Sequence, residues 1–140
     1  MDKYDALKLE NQMCFPLYAA SREVIKQYRP FLEALDLTYT QYITMMVLWE
    51  RHALTAKELG ECLYLDSGTL TPLLKKMEEK GYVNRRRCEQ DERVVRVYLT
   101  EQGRELQNKV LDIPEKVGGC VPLSAEESGT LYQLLYKILA

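Results

Sequence analysis

Residues 55–81 read TAKELGECLYLDSGTLTPLLKKMEEKG, and this stretch decides the fold. Within it Leu70, Leu73, Leu74 and Met77 fall at i, i+3, i+4 and i+7, the stripe of a helix with one face in a core. Gly81 is placed to end that helix. The opposite face carries Ser67, Thr69, Thr71, Lys75 and Lys76, small hydroxyls followed by cations. Upstream, Thr55 opens a shorter helix with Leu59, Cys62 and Leu63 inward, and a brief connection containing Leu65 and Asp66 joins the two. Pro72 breaks a local rule, because its ring crowds the carbonyl of residue 68; Gly68 relieves part of that crowding, and a slight kink is expected.

Downstream, Val83 to Cys88 and Arg93 to Leu99 are strand-like, separated by the polar Glu89-Gln90-Asp91-Glu92. Val95, Val97 and Leu99 alternate with Arg96 and Tyr98, the period of a half-buried antiparallel strand, so the pair reads as a hairpin. From Lys75 to Arg96 there are eight basic and five acidic residues, a segment charge of +3 in a chain of net charge −2. The acidic average therefore hides one face suited to a polyanion.

Two short helices with a tight connection, followed by a basic hairpin, are the parts of a winged helix-turn-helix. In that reading Ser67, Thr69 and Thr71 approach base edges in a major groove while Lys75 approaches phosphate. Arg93 at the hairpin's far end suits a narrow minor groove, with Asp91 holding its guanidinium, and Arg85 suits a phosphate. Taken alone, Arg85-Arg86-Arg87 is equally well a solvated strand face.

The flanks extend the helical pattern. A helix is expected from about residue 11 to 34, with Leu17, Val24, Ile25, Tyr28 and Leu32 on one side, Pro16 in its first turn, and Pro30 bending or interrupting it. Thr38 with Gln41 signs a capping box for a second helix whose Ile43, Met46, Val47 and Leu48 look buried. Thr100 caps a helix to about residue 113, a loop follows from Pro114 to Pro122, and Ser124 with Glu127 opens the last helix. There Leu131, Leu134, Leu135 and Ile138, widened by Tyr132 and Tyr136, make an apolar face broad enough to meet a partner subunit.

With 140 residues and no internal repeat or long linker, the chain is expected to form one domain, mainly α with a small β-hairpin wing. The DNA-reading part is expected over about 54–100, and homodimerisation through about 5–34 and 100–140. No apolar run approaches the roughly 20 residues that span a bilayer, and the N-terminus does not read as a signal peptide, so no membrane partner and a cytoplasmic location are expected. Cys14, Cys62, Cys88 and Cys120 are too scattered for a structural zinc site, and neither a metal nor another cofactor is expected. In a reducing compartment they begin as thiols, so a disulfide there is a signal. Cys14 lies near the start of a helix, at the positive end of its macrodipole, which favours attack on a peroxide; a lone helical cysteine is also commonly plain packing.

The segments Leu9-Glu10-Asn11-Gln12-Met13-Cys14-Phe15, Leu17-Tyr18-Ala19, Leu63 to Pro72 and Asp91-Glu92-Arg93 together resemble the organic-hydroperoxide-sensing (OhrR-type) repressors of the MarR family. The similarity runs from about residue 8 to 114 and fades in the last helix. The resemblance implies a MarR-like homodimer that binds double-stranded operator DNA and releases it when organic hydroperoxide oxidises Cys14 to sulfenic acid. It implies that Tyr28 and Tyr39 hydrogen-bond the reactive thiol of the facing subunit, with Tyr18 a further member of that pocket. It also makes Cys120, in its Gly-Gly-Cys loop, similar to a resolving cysteine that forms an intersubunit disulfide; a small thiol is the alternative resolver. Cys62 is most simply core, Cys88 sits at the wing, and neither receives a role.

Three other functions compete. A MarR-type repressor released by a small aromatic or phenolic ligand keeps the fold and changes the trigger. A thiol peroxidase would use Cys14 as its nucleophile, but His52 reads as a surface residue, and no paired carboxylates, phosphate loop or metal cluster stand out. A winged helix used only for protein contacts would lack salt-dependent DNA binding.

Overall fold

A computed structural model describes residues 2–140. The chain forms two compact units, one of residues up to Gln27 together with Ile113–Ala140, the other of Tyr28–Asp112. The stretch expected to read DNA lies wholly within the second.

Helix α1 spans Cys14–Glu33 and is preceded by two short 3-10 turns, Asp5–Leu7 and Leu9–Asn11. Pro16 falls in its first turn, where a missing N–H costs nothing. The helix continues through Pro30 to Glu33, so the proline does not interrupt it. Of the anticipated apolar side, Leu32 is buried whereas Leu17 and Val24 are exposed.

In the Tyr28–Asp112 unit, Leu32 and Leu37 are buried ahead of α2, Tyr39–Arg51. Thr38 accepts from the Gln41 N–H at 3.2 Å, and the Gln41 side chain accepts from the Thr38 N–H at 3.1 Å, completing the capping box. The buried face differs from the expected one: Tyr42, Thr44, Met45 and Leu48 are buried, while Met46 is exposed. A three-residue strand, β1 (Ala53–Thr55), was not anticipated. Helix α3 (Ala56–Leu63) and helix α4 (Ser67–Glu79) follow, then β2 (Val83–Cys88) and β3 (Asp91–Leu99) in an antiparallel sheet of order β1-β3-β2. Cys88 pairs with Asp91, so the hairpin turns on Glu89-Gln90 alone, tighter than the four-residue connection expected.

Helix α5, Glu101–Val110, starts where Thr100 accepts from the Gly103 N–H at 3.0 Å. Its Gly103 carbonyl accepts from the Trp49 indole at 2.8 Å, tying α5 to α2. The core of this unit is Leu48, Leu59, Leu70, Leu74, Met77, Val83, Val97 and Leu106 with Tyr42 and Met45, all at or below 3% exposure.

In the other unit the expected loop from Pro114 to Pro122 is half wrong. Residues Ile113–Gly118 form helix α6, with Pro114 harmless in its first turn and Ile113 and Val117 buried. Only the stretch after Gly118 is loop. Ser124 and Glu127 form the anticipated capping box of α7, Ala125–Leu139, which has no buried residue. Leu131, Tyr132, Leu134, Tyr136 and Ile138 are all exposed on it.

Candidate DNA-reading surface and sensing thiol

The turn between α3 and α4 is built from close backbone approaches. Tyr64 ends α3 in the left-handed conformation, φ 56°, and the Leu65 N–H returns to the Gly60 carbonyl at 2.9 Å. A Cβ at residue 60 would stand 2.8 Å from the Leu65 oxygen, so glycine is what lets the chain double back. Asp66 then caps α4, accepting from the Thr69 N–H at 2.7 Å. That bond is the main reason its carboxyl lies below the usual carboxylate range. At the far end the Gly81 N–H bonds the Glu78 carbonyl at 3.0 Å and the Tyr82 N–H bonds that of Met77 at 3.1 Å, with Gly81 at φ 85°. These are the paired bonds of a Schellman ending, which fixes the entry into the wing.

With both ends fixed and Leu70, Leu74 and Met77 buried, α4 turns Ser67, Thr69, Thr71, Lys75 and Lys76 to solvent on its other side. Pro72 sits within the helix, exposed, and the helix runs through it. A groove of about 810 Å³ runs between α3, α4 and β3, lined among others by Lys57, Ser67, Thr71 and Arg93.

On the wing, Arg93 is held by Asp91 in a two-point contact, Nε to Oδ1 at 3.1 Å and Nη2 to Oδ2 at 3.2 Å. Arg86 lies over the Tyr98 ring at 5.5 Å, and the Arg87 guanidinium donates to the Glu92 carbonyl at 2.7 Å. Both are exposed and neither was singled out from the sequence. Arg85 is placed differently. It is half-buried, and Glu78 accepts from its N–H at 2.8 Å and from its guanidinium at 3.2 Å. Any phosphate contact by Arg85 is shared with that carboxylate.

All four cysteines are free thiols. Cys14 is the first residue of α1 and is exposed, as are its neighbours Met13 and Phe15. Cys120 is exposed just beyond α6, its Sγ 3.5 Å from the Lys116 carbonyl oxygen. Cys62, expected in the core, is exposed and accepts from Arg51 Nη1 at 3.1 Å. The buried positions of that short helix are Leu59 and Gly60, and both Glu61 and Cys62 after them face solvent. Cys88 is half-buried at the wing tip.

Tyr28 and Tyr39 are brought together, with ring centroids 4.9 Å apart. Tyr42, unnoticed in the sequence, packs against both. Its spacing of three from Tyr39 on a capped helix was the available signal. Tyr18 is exposed, and its hydroxyl accepts from Arg22 at 3.2 Å. His52 is exposed at the C-terminus of α2 with φ 59°, a capping residue of the helix.

A capped reading helix with exposed hydroxyls and lysines, flanked by an arginine-tipped wing, defines a DNA-binding winged-helix regulator. The family described as "Transcriptional regulator SarA/Rot" matches residues 26–110. The chain is 51% identical over 138 residues to the organic hydroperoxide resistance transcriptional regulator of Bacillus subtilis (strain 168), covering 99% of this chain and 94% of that one. AbfR of Staphylococcus epidermidis, solved reduced and bound to DNA, is 34% identical with a TM-score of 0.80, covering 98% of this chain and 95% of its own. Its disulfide form matches with a TM-score of 0.65 over 98% and 93%. A MarR variant from E. coli, complexed with operator DNA, is 26% identical with a TM-score of 0.78 over both full chains. The chain belongs to the MarR family of winged helix-turn-helix transcriptional regulators, in its organic-hydroperoxide-resistance group. It is a regulator and no enzyme, as its relatives are. Among the described residues no helix is long and apolar enough to cross a membrane.

Proposed function

We propose that this chain is a homodimeric repressor that leaves its operator when an organic hydroperoxide oxidises Cys14. The observation that carries the reading is the placement of Cys14: a free thiol, exposed at the first residue of α1 and flanked by the exposed Met13 and Phe15. Apolar neighbours suit a peroxide with an organic tail better than hydrogen peroxide. The likeness to a Bacillus subtilis regulator of organic hydroperoxide resistance, and to AbfR in reduced and disulfide forms, supports the same trigger.

The chemistry balances without a cofactor. The Cys14 thiolate attacks the outer oxygen of the hydroperoxide, the O–O bond breaks, and the alkoxide takes a proton and leaves as the alcohol. The resulting sulfenic acid condenses with the Cys120 thiol of the other subunit, forming the disulfide and releasing water. Cys120 suits this step because it is exposed and follows Gly118 and Gly119, with open space where a Cβ at residue 118 would lie. Tyr28 and Tyr39 of the facing subunit donate to the Cys14 sulfur in the reduced state. Tyr18 is a further member of that pocket, its hydroxyl accepting from Arg22 and its O–H left free to donate.

DNA contact falls to Ser67, Thr69, Thr71 and Lys75 on α4 and to Asp91 and Arg93 on the wing, with Arg85 bracing the wing onto α4 through Glu78. The exposed apolar face of α7 supports pairing of two chains, which sets two reading helices about one DNA turn apart. An intersubunit disulfide moves them out of that register.

The test is peptide mass analysis without reductant after treatment with cumene hydroperoxide. A disulfide joining the peptides of residues 14 and 120 is expected. Cys14 joined only to an added small thiol makes Cys120 a spectator, and an unmodified Cys14 removes the trigger.

A further inference from the structure

Three tyrosines of the Tyr28–Asp112 unit pack together, and the sensing chemistry uses two of them. Tyr28 comes from α1 and Tyr39 is the first residue of α2, with rings tilted at 59°. Tyr42 stands 5.8 Å from the Tyr28 ring and 6.3 Å from that of Tyr39. It differs from both in being buried, with 1% of its surface exposed.

We infer that Tyr42 is a positioning residue for sensing: its buried ring is the fixed platform that holds Tyr28 and Tyr39 in the mutual orientation that presents their hydroxyls to the reactive thiol of the facing subunit. The inference rests on the sensing role proposed above for those two phenols.

The physical need is plain. A donor stabilises negative charge on sulfur only when its O–H is aimed at the sulfur before the peroxide arrives. Tyr28 and Tyr39 are half-exposed and come from different helices, and among the described residues neither hydroxyl has a hydrogen-bond partner that would aim it. Ring contacts are what remain to fix them, and tilted pairs at these separations are a favoured geometry. Tyr42 is suited to be the rigid member. It lies one turn after Tyr39 on the same helical face, behind the Thr38–Gln41 capping box that locks the turn. Burial, and then the neighbouring tyrosines, push its phenol up to about 12, and burial also raises that of Tyr39, so both stay neutral donors at physiological pH.

The experiment measures the rate at which cumene hydroperoxide converts Cys14 to sulfenic acid in the intact reduced protein, trapped with dimedone and read by mass. Tyr42→Leu is expected to slow it about tenfold, the scale of losing a hydrogen bond to a charged group. Tyr42→Phe, which keeps the ring, restores the wild-type rate. In a Tyr28→Phe/Tyr39→Phe background, Tyr42→Leu has no further effect, because the platform no longer holds donors. A wild-type rate in Tyr42→Leu, equal slowing in Tyr42→Phe, or the same fold-slowing in the double-Phe background overturns the inference. Should Tyr42→Leu fail to fold, Tyr42→Met fills the volume without a flat ring and is held to the same outcomes. Wild-type protein forming no sulfenic acid at Cys14 takes the sensing reading down first, and is distinguished from these outcomes by that control.

Discussion

Asp91 grips the guanidinium of Arg93 at two points, 3.1 and 3.2 Å, while 91% of the Arg93 side chain remains exposed. The pair spans two residues at the wing tip, so the carboxylate aims the cation outward without burying it. The contact itself adds little to folding, as exposed ion pairs do. On the proposed reading its value lies in pre-aiming a charge at a polyanion, at lower ordering cost on binding.

Arg93→Ala is therefore expected to weaken operator binding by about tenfold or more and to reduce the slope of log K against log salt by about one. Asp91→Asn keeps the cation and loses the grip, so it costs less affinity and leaves the slope nearly unchanged. Titration of a labelled operator duplex at several salt concentrations measures both, and an Arg93→Ala protein with the wild-type slope removes the wing from the interface.

Among the glycines, Gly60 and Gly103 are those where an added Cβ would press closest on backbone. A Cβ at residue 60 would lie 2.8 Å from the Leu65 oxygen, and one at residue 103 would lie 2.2 Å from the Tyr82 oxygen. Gly60→Ala should cost about 1–3 kcal/mol of stability and Gly103→Ala more, by urea unfolding. Wild-type stability in either shows that the helix-turn-helix or the α5 junction yields more easily than these close approaches imply.

Tyr28→Phe and Tyr39→Phe should each lower sensitivity to cumene hydroperoxide about tenfold while leaving reduced operator affinity intact. Both phenols lie away from Ser67, Thr69, Thr71 and the wing in sequence, and their loss removes a hydroxyl without removing a ring. Unchanged sensitivity in both takes them out of the switch.

Acid should destabilise the fold. Glu58 is lowered chiefly by the Thr55 hydroxyl, Asp66 by the Thr69 N–H, Glu78 by the Arg85 N–H and Glu127 by the Ser124 N–H. Each carboxylate is depressed in the folded chain, so its contribution is complete above the unfolded value and is lost as pH falls through the folded one. Tm is expected to be flat between about pH 7 and 5 and to decline below about pH 4. A Tm that rises on acidification contradicts these assignments.

Local signals in the sequence were the readable ones. Thr38 with Gln41, Ser124 with Glu127, Thr100, and the Leu70-Leu74-Met77 stripe ending at Gly81 each act within a few residues, and the structure holds them as read. What pairing across the chain decides was hidden. Strand β1 exists because Ala53, Leu54 and Thr55 meet Tyr98, Val97 and Arg96, more than 40 residues away. The apolar residues of α2 surround the helix, so periodicity left its inward face open, and packing chose Tyr42 and Met45 over Met46. The same ambiguity concealed the tyrosine cluster's third member. Proline and glycine at the ends of α6 suggested a loop, although Pro114 stands where a helix accepts it. On the wing, the sequence picks Arg85 out of three consecutive arginines for phosphate, whereas pairing gives Arg85 to Glu78 and leaves Arg86 and Arg87 exposed.

The central claim is that oxidation of Cys14 releases DNA. Reduced protein bound to an operator-length duplex is treated with cumene hydroperoxide, and release is followed by fluorescence anisotropy for wild type, Cys14→Ser and Cys120→Ser. Wild type is expected to be released, reversibly on adding dithiothreitol, and Cys14→Ser to remain bound at every peroxide concentration. Release of Cys14→Ser at the wild-type peroxide concentration would contradict the claim and leave a ligand-responsive repressor as the better description.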